Sequence, residues 1–303
     1  TVSYTGVNAG MVIVVADDAG MHSSQNEQDS RHHAIASKIP MLEPSDSAEA
    51  RAFTMRAFEL SEQFDTPVII KMCTRVAHSQ SIVEPGERVE PPVKPYEKNI
   101  GKYVMMPGNA KKRHPIVEQR TRDLIAFAEN CEFNRVEWGD TSIGIIASST
   151  CYQYAKEVFG EKASILKLGM INPLPEKLIL DFAAKVDKLV VIEELDPIIE
   201  NHCKQLGLTV TGKDVLPIED EFSQNLIAEK LGMSVPKGEK LDETMPARPQ
   251  PVQTSRFLSV RRSCAPDVRT AACSTHCPRT SAPYSVTSDV IRWALSLRST
   301  PSK

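Results

Sequence analysis

The sequence predicts an α/β protein with two doubly wound, parallel-sheet domains and a disordered tail. Three observations predict this fold class. Apolar, β-branched runs alternate with amphipathic helix patterns in residues 1–83, and the same alternation returns in residues 116–235. Residues 84–115 between them are rich in proline, and the alternation stops after residue 235. Alternating strands and helices normally build parallel sheets that carry helices on their faces.

The first domain begins with a continuous apolar run at residues 11–16, which predicts a strand buried on both faces. A polar loop follows at residues 17–31. Asp46 and Glu49 then have the spacing of a capping box at the start of a helix. Apolar residues recur at helical spacing after them, namely Ala50, Phe53, Ala57 and Leu60. Residues 68–72 predict the next buried strand, which completes a βαβ unit.

Residues 84–115 combine prolines with mixed charges and show no hydrophobic period, so we predict a linker without regular structure. The second domain resumes at residue 116. We predict its strands at 142–147, 164–168 and 189–193, and its helices at 116–131, 150–159, 175–185, 196–206 and 219–231. No internal repeat of fixed period is visible.

Composition excludes several classes of protein. The 303 residues are 41% hydrophobic and 25% charged, which is ordinary for a globular protein. No apolar run approaches the roughly 20 residues that span a bilayer, and no signal-peptide pattern opens the chain. The cysteines form no disulfide framework over residues 1–235. We therefore expect a cytoplasmic protein that binds neither membranes nor nucleic acid.

The polar loop at residues 17–31 is the most informative stretch for function. It follows a buried strand, and open α/β sheets bind ligands at the carboxyl ends of their strands. Within fifteen residues it offers carboxylates, hydroxyls, amides and an arginine. The chemistry alone leaves two equal interpretations, a ligand-binding loop and a capped polar loop, because Ser and Asp also serve turns and helix starts.

The order of the residues in this loop carries a resemblance to a known family. From Val14 the chain reads Val-Val-Ala-Asp-Asp, and from Gly20 it reads Gly-Met-His-Ser-Ser-Gln-Asn-Glu-Gln-Asp-Ser-Arg. This closely resembles the large (alpha) subunit of indolepyruvate (arylpyruvate) ferredoxin oxidoreductases. The likeness covers about residues 4–248 and departs at Ala19, where the family has proline. Further matching segments are residues 40–47, Thr66-Pro67-Val68, Thr74-Arg75-Val76, His78-Ser79, residues 169–175 and residues 191–195.

The resemblance implies an enzyme that uses thiamine diphosphate. In this family the cofactor decarboxylates a 2-oxoacid, iron–sulfur clusters pass electrons to ferredoxin, and coenzyme A takes the acyl group. The family also implies Mg²⁺ on the diphosphate and a small (beta) subunit as partner. By resemblance, residues 1–83 are the C-terminal half of a pyrimidine-binding domain, and residues 116–235 are a transketolase C-terminal-like domain.

Within that resemblance we assign His22 and Arg31 as catalytic candidates. His22 would act as acid and base or would contact the substrate carboxylate, although a surface or capping histidine is the competing interpretation. Arg31 would bind a carboxylate in bidentate fashion, or it would pair with the nearby Asp29 or Glu27; we weigh these two equally. The candidate cofactor-binding residues are Ser23, Ser24, Gln25 and Asn26.

We assign no metal ligand. Asp17 and Asp18 could suggest a metal pair, but capping of the following turn by their carboxylates is the favoured interpretation. The resemblance places the glutamate that activates the cofactor upstream of residue 1, and neither a diphosphate motif nor a cluster motif is recognisable. We therefore expect the chain alone to be inactive and to bind no cofactor tightly.

Two other functions remain open. The chain could be a non-catalytic α/β interaction module, or a gene relic that keeps only its subunit contacts. It could also be a metal-dependent hydrolase that uses Asp17, Asp18 and His22.

Residues 236–303 form a linker and a tail that we expect to be disordered and out of frame. Residues 251–303 alone carry a net charge of +6, whereas the preceding 250 residues carry −9. A reading frame shifted by one nucleotide from about Ser263 would permit a Cys-x-x-Cys-Pro-His segment and then Ser-Asp-Ile-Gly-Cys, both of which resemble the family. A zinc site is disfavoured by poor spacing of its potential ligands, Cys264, Cys273, His276 and Cys277.

Overall fold

The computed structural model describes residues 1–21, 25–80, 82, 95 and 97–234. Residues 1–236 fall into one compact unit. Its strands are β1 (Val12–Ala16), β2 (Met41–Leu42), β3 (Val68–Met72), β4 (Arg135–Glu137), β5 (Ile143–Ser148), β6 (Ser164–Leu168), β7 (Met170–Asn172), β8 (Lys188–Ile192) and β9 (Val210–Thr211). Its helices are α1 (Val2–Thr5), α2 (Arg31–Ser37), α3 (Ser47–Gln63), α4 (Thr74–His78), α5 (Ile100–Tyr103), α6 (Pro107–Ala128), α7 (Ser149–Phe159), α8 (Glu176–Ala183), α9 (Ile198–Gln205) and α10 (Gln224–Lys230).

Two sheets organise this unit, and the α/β fold class is confirmed. The first sheet has the strand order β1-β3-β2-β7, and the second has the order β4-β6-β5-β8-β9. Pairing is parallel except at β7 and β4, which lie antiparallel at one edge of each sheet. The sequence analysis missed both of these three-residue strands because such short runs show no period of their own.

The second sheet is covered on both faces. One apolar cluster joins Ile145, Ile165 and Val190 to helices α7 and α10. The other joins Ile146 and Leu166 to helices α8 and α9. Alternate residues of the same strands thus enter opposite cores, as the pleat of a strand requires.

The first sheet is covered mainly by α3 and α6 on one face. Leu124 and Ala128 of α6 share a core with Val68 and Ile70 of β3, and Met170 of β7 joins it. The core of the first sheet therefore draws residues from both of the stretches in which the strand–helix alternation occurs.

Helix α3 begins where the capping spacing predicted. The Asp46 carboxylate accepts a hydrogen bond from the Glu49 amide at 2.8 Å. The Glu49 side chain, however, accepts from the amide and the hydroxyl of Ser45, each at 2.8 Å, instead of completing the box at Asp46. Glu49 is drawn away because it also receives Lys167 and Arg135 from the second sheet.

Two predictions about the fold were wrong. The apolar strand β1 was expected to be buried on both faces, but it is an edge strand in which Ile13 and Val14 are 37% and 39% exposed. Residues 84–115 were expected to lack regular structure, but they include α5 and the start of α6. Pro107 occupies the first turn of α6, where a missing backbone donor costs nothing.

The remaining calls on residues 84–94, on residue 96 and on residues 236–303 lie outside the described part of the chain. Within that described part, no helix combines the length and the apolar character that a membrane crossing requires.

Candidate functional site

The carboxyl ends of four parallel strands meet in one place. β1 is followed by Asp17, β3 by Cys73, β5 by Ser149 and β8 by Glu193 and Glu194. Two of these strands belong to the first sheet and two to the second. A narrow cavity between them is lined by groups from all four ends, including Asp17, Cys73, Ser149 and Glu194. Both sheets therefore present their ligand-binding edges to a shared polar region.

Two carboxylates at the start of the polar loop, those of Asp17 and Asp18, bind groups elsewhere in the chain. Asp17 accepts hydrogen bonds from the Ser30 amide at 2.7 Å and from the Ser30 hydroxyl at 3.0 Å. Asp18 accepts from the Thr74 amide at 2.6 Å and from the Thr74 hydroxyl at 2.8 Å. Both aspartates thus cap backbone groups, but those groups are distant in sequence and do not belong to the following turn. The two carboxylates point to separate partners, which does not favour a metal held between them.

Arg31 begins α2, and its side chain is only 2% exposed. Its Nε and Nη2 atoms donate to Asp29 at 2.9 and 2.6 Å, and its Nη1 atom donates to Glu193 at 2.8 Å. Nη2 also donates to the backbone carbonyls of Glu194 and Asp196, each at 2.8 Å. Of the two interpretations left open for Arg31, this geometry matches the pairing with Asp29 and directs the guanidinium into protein contacts.

Further buried charges surround Arg31. The Glu43 Oε1 atom lies 3.3 Å from the Lys71 ammonium, and Glu43 Oε2 accepts from the Ser148 hydroxyl at 2.7 Å. Burial alone would lower the pKa of Lys71, but the charges of Glu43, Asp29 and Asp17 together outweigh burial and the charge of Arg31, so the pKa is raised. Burial raises the pKa of Glu193 despite the charge of Arg31. Sequence reasoning missed Glu43 and Lys71, although a lone lysine inside an apolar strand was a visible signal.

An open cleft of about 480 Å³ adjoins this polar cluster. Its lining joins the start of the polar loop to α4 and to the second sheet: Asp18, Ala19, Cys73, Thr74, Arg75, His78, Ser79, Glu194 and Glu221. Arg75 of α4 donates two hydrogen bonds of 2.5 and 2.7 Å to Glu221, which lies between β9 and α10. Burial raises the pKa of Glu194, whose Oε1 atom accepts from the Phe222 amide. The cleft is open to solvent, and charged and hydroxyl side chains contribute to its lining.

Not all predicted site residues can be placed. His22, Ser23 and Ser24 lie outside the described residues. Gln25 and Asn26 are exposed. The catalytic role of His22 and the binding of a cofactor by Ser23, Ser24, Gln25 and Asn26 remain predictions.

One cluster of potential metal ligands occurs among the described residues, formed by Asp29, His32 and Asp196. The His32 Nε2 atom lies 2.7 Å from the Asp196 carboxylate, and both side chains are about half exposed. Asp29, however, is already bound by the Arg31 guanidinium. A cation there would have to compete with that buried positive charge, so we interpret the cluster as ion pairing.

Four cysteines of the described chain are potential ligands for an iron–sulfur cluster. Cys73, Cys131, Cys151 and Cys203 are free and buried, and burial raises the pKa of each thiol. Thiolate is the form that binds iron, and these residues do not gather into a group of three or more within the described chain. The described residues therefore do not fit such a cluster.

Comparison with known proteins finds oxidoreductase subunits among the similar sequences and an α/β oxidoreductase among the similar folds. No protein-family model matches the chain. A subunit IorA of indolepyruvate oxidoreductase from Archaeoglobus fulgidus is 34% identical over 290 residues, covering 86% of this chain and 46% of the relative. The IorA subunit from Methanothermobacter thermautotrophicus is 37% identical over 243 residues, covering 76% of this chain and 39% of the relative.

Over most of its own length the chain is thus similar to the indolepyruvate oxidoreductase subunit IorA, as the resemblance in the polar loop predicted. It spans less than half the length of these two relatives. A 2-oxoglutarate:ferredoxin oxidoreductase from Magnetococcus marinus, solved with 2-oxoglutarate, coenzyme A and succinyl-CoA bound, has a similar fold. Its TM-score is 0.54 at 16% identity, over 76% of this chain and 49% of that one.

Proposed function

We propose that this chain is part of an oxidoreductase that oxidatively decarboxylates arylpyruvates, indolepyruvate among them, to acyl-CoA. Thiamine diphosphate would be the cofactor and ferredoxin the electron acceptor. The observation that carries the proposal is the similarity to IorA subunits of 32–37% identity over most of the chain. The position of the open cleft at the strand ends supports it, because open α/β sheets generally bind small ligands there.

Each half of the compact unit takes a role in this proposal. Residues 1–83 correspond to the C-terminal half of a pyrimidine-binding domain, and residues 116–235 correspond to a transketolase C-terminal-like domain. The polar loop of the first half would face the ligand, while residues 193–196 of the second half hold the end of that loop through Arg31. A small (beta) subunit is the proposed partner, and a cytoplasmic location belongs to the same proposal.

The cofactor supplies the carbanion chemistry when it is bound, and the protein orients the reactants and moves protons. In the proposal, His22 donates and accepts protons or holds the substrate carboxylate. Ser23, Ser24, Gln25 and Asn26 provide hydrogen bonds to cofactor or substrate. Arg31 is directed into protein contacts, so we propose that it holds the loop in place and does not touch the substrate.

Mg²⁺ and iron–sulfur clusters are part of the family's chemistry, but the described residues offer no fitting ligand set for a cluster. We therefore derive no step that involves these groups.

The test is an assay of the complete large subunit, co-expressed with its partner subunit. We expect reduction of ferredoxin that depends on both indolepyruvate and coenzyme A, with less reduction when 2-oxoglutarate or pyruvate replaces the arylpyruvate. Absence of any arylpyruvate-dependent reduction would overturn the proposal. Stable association with the partner subunit without turnover would instead favour the interaction module.

A matched pair of histidine variants tests the assigned site. His22→Ala should lower kcat by about 10²–10⁴, the range typical of a lost general acid or base. His33→Ala is the control, because His33 lies exposed on α2. Equal activity of the two variants would show that His22 has no catalytic part.

A further inference from the structure

The polar loop starts from the first sheet, but its far end is held by the second. The loop leaves β1 at Asp17 and returns at Arg31, where α2 begins. All the protein acceptors of the Arg31 guanidinium apart from Asp29 belong to residues 193–196, which follow β8 of the second sheet. These three contacts therefore join segments more than 160 residues apart in sequence.

Three consecutive residues at this end of the loop are fixed together. The Asp29 carboxylate accepts from the Arg31 side chain and from the Arg31 amide at 3.0 Å. It also accepts from the Asp196 amide at 3.3 Å. Ser30, which lies between Asp29 and Arg31, donates its amide to Asp17 at the start of the loop. Movement of Arg31 would therefore carry Asp29 and Ser30 with it.

Two backbone amides hold the Glu193 carboxylate in addition to Arg31. Its Oε1 atom accepts from the Glu200 amide at 2.9 Å, and its Oε2 atom accepts from the Ile199 amide at 3.0 Å. Both amides belong to the first turn of α9, where backbone donors lack partners within the helix. A carboxylate fixed in this way presents a defined acceptor to Arg31, and a charge-assisted hydrogen bond to it is both directional and strong.

We infer that Glu193 is a positioning residue: through Arg31 and Asp29 it holds residues 29–31, the end of the polar loop, against residues 193–196 of the second sheet. The second sheet thereby fixes the point at which the polar loop of the first sheet ends. The identity of the ligand rests on the proposed function, but the mechanical connection from Glu193 to the loop does not.

The experiment compares Glu193→Gln with Glu200→Gln in the 303-residue chain. Both residues are buried carboxylates, and both accept backbone amides near α9. Glu200 binds Lys204 and the Lys213 amide, so it is a control that does not touch Arg31. Hydrogen–deuterium exchange is followed in peptides that cover residues 25–31 and, as an internal reference, in peptides that cover β5.

We expect Glu193→Gln to speed exchange at residues 25–31 about tenfold, with exchange in β5 unchanged. Glu200→Gln should leave residues 25–31 at the wild-type rate. Unchanged exchange in Glu193→Gln would overturn the inference, and so would equal acceleration by both variants.

A double variant separates positioning from global stability. Glu193→Gln removes one charged acceptor of the buried Arg31 guanidinium, so the melting temperature should fall. Adding Arg31→Met should lower the melting temperature further, because Asp29 then stays buried without its counter-charge. Exchange at residues 25–31 should speed up little beyond Glu193→Gln, since the connection to the second sheet is already broken. If exchange there instead rises in step with each fall in melting temperature, the role of Glu193 is merely structural and the inference is wrong.

A last measurement separates this inference from the proposed function. In the complete enzyme, Glu193→Gln should raise KM for the arylpyruvate about tenfold with a smaller change in kcat, whereas Glu200→Gln should leave KM unchanged. If the wild-type enzyme shows no turnover, the proposed function fails, but the exchange results still decide the positioning role of Glu193.

Discussion

The Nη1 atom of Arg31 lies 2.8 Å from the Oε2 atom of Glu193, although 162 residues separate them in sequence. Each side chain is 2% exposed. The pair joins α2, which follows the polar loop, to the end of β8 in the other sheet. Two charges in such a dry position are stabilised only while both are present and fully hydrogen-bonded.

Replacing Arg31 with methionine should lower the free energy of unfolding by about 3–5 kcal/mol, because Asp29 and Glu193 would stay buried without their counter-charge. Urea unfolding of the wild-type chain and Arg31→Met at neutral pH measures this loss. The slope with denaturant should stay the same, since the surface exposed on unfolding hardly changes.

Arg56→Met is the matched control for that substitution. Arg56 also binds two carboxylates, those of Glu59 and Glu132, but both partners are more than half exposed. Surface ion pairs contribute at most about 1 kcal/mol, so this variant should be nearly as stable as the wild type. Similar losses in the two variants would contradict the assignment of the Arg31 contacts to a buried network.

The sequence indicates only one of the four residues that accept hydrogen bonds from the Arg31 side chain. Asp29 is two residues away, so local reasoning includes it among the alternatives. Glu193 is not indicated as a partner, because nothing local shows which distant strand end will face a given loop. The same holds for Glu43 and Lys71, whose pairing depends on how β2 and β3 lie side by side.

Glu49 provides a prediction about pH. Burial alone would raise its pKa, but the charge of Lys167 and the hydrogen bonds from Lys167 and Arg135 outweigh burial and lower the pKa to about 2. A depressed carboxyl pKa contributes stability above the ordinary value of 4.5, and this contribution is lost as pH falls towards 2. Glu49→Gln should therefore cost about 3–5 kcal/mol at neutral pH, because Lys167 is 0% exposed and would lose its partner.

Urea unfolding of the wild type and Glu49→Gln between pH 7 and pH 2.5 measures this dependence. The difference between them should be constant at neutral pH and should shrink below about pH 4.5. Glu59→Gln, which changes a mostly exposed partner of Arg56, is the control and should show a small difference throughout. A Glu49→Gln difference that grows as the pH falls would refute the sign of this pKa shift.

Gly169 supplies a test of close packing between the two sheets. A Cβ atom there would lie 2.5 Å from the Phe133 carbonyl oxygen and 2.9 Å from the Phe53 ring. The carbonyl belongs to the backbone and cannot turn away, so Gly169→Ala should destabilise the protein by about 1–3 kcal/mol. Thermal melting of the variant and of the wild type measures the change.

Gly108→Ala is the control because a Cβ atom at Gly108, in the first turn of α6, would meet nothing within 4 Å. Alanine there restricts the unfolded chain and should stabilise the protein by about 0.4–1 kcal/mol. Opposite signs are therefore expected from the same chemical change. Stabilisation by Gly169→Ala would mean that the segments around Phe133 and Gly169 are more loosely packed than described.

The fold was largely predictable where the hydrophobic period is strong, as in β5, β6 and α3. The exposure of β1 was not, because five apolar β-branched or small residues look the same in a central strand and at an edge. The sequence does not indicate the early start of α6, because prolines such as Pro107 and Pro115 ordinarily interrupt a helix. A proline in the first helical turn is in fact favourable, and the helix continues past Pro115 because its later turns pack on the first sheet.

The isolated 303-residue chain should bind thiamine diphosphate only weakly, even with Mg²⁺ present. Under the proposed function two domains bind the cofactor between them, and this chain corresponds to part of one of those domains. The described residues show no cluster of carboxylates without other partners that would hold a metal on a diphosphate, since Asp29 is bound by Arg31 and Asp18 by Thr74. Titration calorimetry should therefore give a Kd no tighter than about 1 mM, or about −4 kcal/mol. The complete large subunit with its partner is the control and should bind tightly under the same conditions. Micromolar affinity of the isolated chain, about −8 kcal/mol, would show that it holds the cofactor by itself.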